Sequence, residues 1–118
     1  MAAPVSEITA RRPRALVVDD SQIARYILSG QLKKLGFGVE VADSAEAALR
    51  QLAGPVPDVV FIDYLLPGID GVETVSRLRG QTRTATLPVV MYTSQVGDEF
   101  AERAQAVGAD DIYVKTAD

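Results

Sequence analysis

Pro57-Asp58-Val59-Val60-Phe61-Ile62-Asp63-Tyr64-Leu65-Leu66-Pro67-Gly68-Ile69-Asp70-Gly71 decides how the chain is built. Val59 to Ile62 is continuously apolar, with β-branched and aromatic side chains, the pattern of a strand covered on both faces in a parallel sheet flanked by helices. The run stops at Asp63, which places a carboxylate at the strand's carboxyl end. In open α/β sheets that edge is where ligands bind, because the loops leaving the strands converge there. Pro67-Gly68 turns the chain, and Asp70-Gly71 with Glu73 reads as the cap of a new helix.

A second acidic strand end lies upstream. Ala15-Leu16-Val17-Val18 is a short apolar run closed by Asp19-Asp20, after which Ser21 opens an amphipathic helix. Two parallel strands ending this way put three carboxylates on one sheet edge. At an effective dielectric of about 20, two such charges about 4 Å apart repel by roughly 4 kcal/mol, so the cluster calls for a cation. Each Asp taken singly reads equally well as a helix cap. The three together at two strand ends point to a metal site.

Strand and helix patterns alternate along the rest of the chain, which predicts a doubly wound parallel sheet. Ile23, Ile27, Leu28, Leu32 and Leu35 form the apolar face of the first helix, with Gly36 as its C-terminal cap. Gly38 to Ala42 is the second strand. Asp43 or Ser44 caps a helix burying Ala45, Ala48, Leu49 and Leu52 and ended by Gly54-Pro55. Val72, Val75 and Leu78 mark a third helix stopped at Gly80, and Pro88 to Tyr92 is the fourth strand. Phe100, Ala104 and Val107 mark a fourth helix capped by Gly108, and Ile112 to Val114 is the fifth strand. Thr93 follows the fourth apolar run directly and Lys115 the fifth. Alone they read as a turn residue and a solvated strand-end ammonium; on the acidic edge the ammonium would pair with a carboxylate.

Asp19-Asp20, Asp63 followed by Leu66-Pro67 and Asp70-Gly71, Thr93-Ser94 and Lys115 together resemble the receiver domain of two-component response regulators, of the chemotaxis-regulator kind, from about residue 14 onward. The resemblance implies a five-stranded flavodoxin-like sheet of order 2-1-3-4-5. It makes Asp63 the phosphoacceptor, and Asp20, Asp63 and the backbone carbonyl of Leu65 direct Mg²⁺ ligands, with Asp19 acting largely through water. Thr93 and Lys115 would hold the phosphoryl group, beside a small Ser94. Movement of Thr93 would switch the surface of the fourth helix and fifth strand. The implied partners are a histidine kinase or phosphotransfer protein as donor and an output domain or target protein as reader.

Three features depart from the family pattern. Thr116 stands where Pro usually follows the Lys, so a cis bond there is not expected, since a non-proline cis peptide costs about 3–4 kcal/mol. Ile112 occupies the position of the aromatic switch residue, and Tyr113, one place later, points to the opposite face by strand alternation. The sequence ends at Asp118, where the family continues into a fifth helix. The expected fold therefore lacks its final helix and leaves the face around Val114 and part of the first helix bare. Such a face is covered by a native continuation or by a second chain, for which a symmetric homodimer is the commonest arrangement. Leu65 cannot orient a water by hydrogen bonding, which implies slow self-hydrolysis of a phosphoryl group on Asp63.

Composition narrows the classes. The chain has 118 residues, 47% of them hydrophobic, a formal net charge of −4, and neither Cys nor His. That length suits one domain, with residues 1–13 read as a flexible leader and 14–118 as the receiver domain. The net negative charge offers no footprint for nucleic acid. Absent cysteines rule out disulfide and thiol chemistry and suit a cytoplasmic location; absent histidines remove an internal phosphohistidine donor. No segment reads as a signal peptide or membrane span. A phosphatase of the haloacid dehalogenase type would need an acid at position 65, and Gly36-Phe37-Gly38 precedes a strand rather than following one, against a dinucleotide module. The domain is read as a signalling phosphoacceptor, not an enzyme on other substrates. One alternative stays open: a degenerate receiver acting as a phosphorylation-independent interaction or dimerisation module.

Overall fold

A computed structural model describes residues 12–93 and 98–114, with Asp98, Tyr113 and Val114 described in backbone only. The elements are β1 Arg14–Val18, α1 Gln22–Lys34, β2 Gly38–Ala42, α2 Ala45–Leu52, β3 Val59–Asp63, α3 Gly71–Arg79, β4 Val89–Thr93, α4 Asp98–Ala106 and β5 Asp111–Val114. The five strands form one parallel sheet in the order β2-β1-β3-β4-β5, the flavodoxin-like arrangement expected. The reversal of strand order between β1 and β3 opens a crevice at their carboxyl ends.

Strand alternation sorts the core into two layers. Leu16, Val18, Val60, Ile62, Val89 and Met91 pack with Ala45, Ala48, Leu52, Val75, Leu78, Phe100 and Ala104 of α2, α3 and α4. Ala15 and Val17 pack with Leu32 of α1, and Leu28, Val59 and Phe61 lie partly buried beside them. The helix starts follow the capping residues: Ser21 accepts from Ala24 N, Ser44 from Ala47 N, and Asp70 from Glu73 N. Gly36, at φ 97°, carries the left-handed residue just past α1.

The α1 face needs correction. Leu28, Ser29 and Leu32 turn inward, whereas Ile23 (73% exposed), Ile27 and Leu35 do not. At 3.6 residues per turn, Ile27 is rotated by about 140° from Leu32. The sequence pattern had merged two strips, and Ile23 and Ile27 form the outer one together with Tyr26. Part of α1 is thus uncovered, as expected, while the side chain of Val114 falls outside the described residues.

Two arginines bind the lower loops to the sheet. Arg79, at the end of α3, donates through Nη1 to the carbonyls of Thr84, Ala85 and Leu87, through Nε to Gly108 O, and through Nη2 to Asp110 Oδ2 at 2.9 Å. The same Asp110 oxygen accepts from Val89 N. Arg83 donates to the carbonyls of Leu52, Ala53 and Gly54, closing the C-terminal end of α2.

Candidate functional site: an acidic edge at three strand ends

β1 and β3 are paired in register from Ala15↔Val59 to Val18↔Ile62, so the residues that follow, Asp19 and Asp63, emerge side by side. Asp19, Asp20 and Asp63 each offer a carboxylate oxygen, and those atoms lie within 4.8 Å of one another. Asp19 is fully buried and Asp63 nearly so, while Asp20 is exposed. Two buried carboxylates beside a third in low-dielectric surroundings are costly without a compensating positive charge. An all-oxygen set of this kind suits a hard divalent cation.

Local hydrogen bonds fix Asp19 and Asp63. Asp19 Oδ1 accepts from Ser21 N at 2.9 Å, and Arg25, reaching back from α1, donates to Asp19 O at 2.7 Å. Asp63 Oδ1 accepts from Leu65 N at 3.1 Å, a turn that folds the Leu65–Pro67 segment around its own carboxylate. Gly71 N donates to Tyr64 O, locking the start of α3 against the end of β3. Thr93 ends β4, fully buried, opposite Val114 of β5.

Asp19, Asp20, Asp63 and Thr93 therefore share one edge of the sheet. Ile112 is half-buried against the α2–α4 side of the core. Ser94, Gln95, Lys115 and Thr116 lie outside the described residues, as do the leader through residue 11 and the side chain of Tyr113.

Sequence reasoning missed two participants. Tyr92 was read only as strand apolar surface, yet its buried hydroxyl donates to Asp19 Oδ2 at 2.9 Å. A tyrosine is an apolar body with a polar tip, and its place one residue before a strand end was the available signal. Tyr64, directly after Asp63, stacks edge-to-face on Phe100 of α4 with ring centroids 5.0 Å apart. Arg103 donates to its hydroxyl at 2.9 Å and covers its ring. Nothing in the sequence pairs residues so far apart.

A doubly wound sheet with three carboxylates at its switch point is an α/β domain able to hold a divalent cation at that edge, and comparison with known proteins specifies the family. The sequence model of the response regulator receiver domain matches residues 15–118, and the chain belongs to that family. It is 34% identical over 103 residues to the phosphate regulon transcriptional regulatory protein PhoB of Rhizobium meliloti, covering 87% of this chain and 45% of that protein. The two-component response regulator ORR5 of rice is 34% identical over 105 residues, 87% of this chain and 78% of the relative. Among solved structures, the chemotaxis protein CheY4 of Vibrio cholerae superposes with a TM-score of 0.85 at 30% identity, covering 92% of this chain and 90% of that one. A response regulator receiver protein of Pseudomonas putida gives 0.82 at 27% identity, over 92% and 89%. The chain spans less than half the length of the PhoB relatives. Among the described residues no helix is long and apolar enough to cross a membrane.

Proposed function

We propose that this receiver domain accepts a phosphoryl group on Asp63 from a cytoplasmic histidine kinase or phosphotransfer protein and passes the change to an output domain or target protein. The observation that carries the reading is the convergence of Asp19, Asp20 and Asp63 within 4.8 Å at the switch point of the sheet.

The oxygen-only set fits Mg²⁺, which Asp20, Asp63 and the Leu65 carbonyl would hold, with Asp19 acting through water. An ion bound there would supply positive charge against the oxygens of the transferring group. A carboxylate oxygen of Asp63 attacks phosphorus in line; the bond to the donor breaks, its electron pair leaves with the donor, and an acyl phosphate remains. Thr93 donates its hydroxyl to a phosphoryl oxygen, and Lys115 pairs with another. The domain promotes only its own phosphorylation and slow dephosphorylation. With Ile112 in place of an aromatic, the contact of Tyr64 with Phe100 and Arg103 offers a second route from Asp63 to α4.

A second reading, the degenerate module that works without phosphorylation, has one observation in its favour. Ile23, Tyr26 (81% exposed) and Ile27 form an apolar strip on α1, which suits a homodimer or a partner surface. Incubation with a small-molecule phosphodonor and Mg²⁺, followed by intact mass, separates the two: gain of one phosphoryl group supports the first, and an unchanged mass supports the second.

A further inference from the structure

We infer that Tyr92 is a positioning residue for the acidic site, setting the separation of the Asp19 and Asp63 carboxylates; the inference rests on the Mg²⁺ reading above. Tyr92 lies opposite Asp63 in the β3–β4 register, and its backbone carbonyl accepts from Tyr64 N at 2.7 Å, so its main chain is fixed to the end of β3. By strand alternation its side chain shares the α1 side of the sheet with Phe61 and Val17. It reaches past β3 to β1, where the hydroxyl meets Asp19 Oδ2 at 2.9 Å and Val18 O at 3.4 Å. A phenol has one proton to give, and the shorter bond to the charged oxygen takes it. One rigid ring therefore spans two acidic strand ends, held at β3 by its backbone and at β1 by its tip.

Asp19 is held from two sides, by Ser21 N on Oδ1 and by Tyr92 on Oδ2. With both bonds in place its carboxylate plane is set before any cation arrives. Groups that orient the shell around a metal are typically worth about 10- to 100-fold in affinity, and because Asp19 acts through water the low end is expected here. Because Thr93 follows Tyr92 directly, the same strand end carries both the spacer and the hydroxyl that meets the phosphoryl group.

The test is a double-mutant cycle on the 118-residue chain, reading Mg²⁺ dissociation constants by calorimetry for wild type, Y92F, D19N and the pair. Y92F keeps the ring and removes the hydroxyl, and it should weaken binding by about 10-fold. In the D19N background the same change should have no effect. A wild-type readout makes the test independent of how the variants fold: with selectively labelled tyrosine, Mg²⁺ should shift the ring resonance of the buried Tyr92. Unchanged or tighter binding by Y92F, equal weakening in the D19N background, or a Tyr92 resonance indifferent to Mg²⁺ would overturn the role of Tyr92 and leave the metal site standing. A wild-type chain that binds no Mg²⁺ would overturn both.

Discussion

Gly71 and Asp63 touch backbone to backbone: a Cβ placed on Gly71 would stand 2.4 Å from Asp63 O and 3.1 Å from Tyr64 Cα. The first residue of α3 is thereby fitted against the last residue of β3, and the loop between them is pinned around the Asp63 carboxylate. Gly71→Ala should cost about 2–3 kcal/mol, because the obstructing atoms are main chain and cannot swing away. The reaction with a small phosphodonor should slow as well. Thermal unfolding and labelling rates check the two effects, and a variant with wild-type stability would show that α3 can shift freely.

Arg79 should matter more to stability than the exposed ion pairs. It satisfies the carbonyls of Thr84, Ala85, Leu87 and Gly108 and pairs with Asp110, so Arg79→Met is expected to destabilise by about 2–3 kcal/mol. The exposed Arg14–Glu40 pair should contribute about 0–1 kcal/mol, and Arg14→Met should be correspondingly mild. Urea unfolding of the two variants gives the comparison directly.

Asp20 is exposed and offers one oxygen to the acidic cluster, so the cation-binding role proposed for it can be separated from packing. Asp20→Ala should leave the melting temperature without metal nearly unchanged and raise the Mg²⁺ dissociation constant at least about 10-fold, with labelling restored by excess metal. Wild-type Mg²⁺ affinity in this variant would remove Asp20 from the ligand set.

Much of this was legible in the sequence, for identifiable reasons. The inner strands read correctly because both faces are covered, which leaves unbroken apolar runs such as Val59 to Ile62, whereas the edge strand β2 exposes Glu40 and Val41 and carries no such run. Helix starts read correctly at Ser21 and Asp70, and to within one residue at Asp43 or Ser44, of which Ser44 is the cap, because capping is a local interaction between residues three apart. Asp19, Asp20 and Asp63 could be brought together because a parallel sheet puts all carboxyl ends on one edge. The inner face of α1 was harder, since apolar spacing alone does not say which of two strips meets the sheet. The hydroxyl of Tyr92 on Asp19, and Arg79 on the carbonyls after α3, depend on side-chain reach across the fold and leave no periodic trace.

Leu65 sits beside Asp63, 45% exposed, and offers no group to orient an attacking water. The aspartyl phosphate should therefore persist for minutes or longer, and Leu65→Asn, which introduces such a group, should shorten its lifetime. Decay of the phosphorylated species after removal of the donor measures both, and a wild-type half-life of seconds would contradict the expectation.

Locating the phosphoryl group decides whether Asp63 is the acceptor. Wild type and Asp63→Asn are each incubated with a small phosphodonor and Mg²⁺, and both intact mass and the modified residue are determined. Because a carboxamide at a strand end keeps the shape and removes the nucleophile, the wild type should carry one phosphoryl group on Asp63 and a normally folded Asp63→Asn variant none. A phosphoryl group on another residue, or equal labelling of the variant, would contradict it.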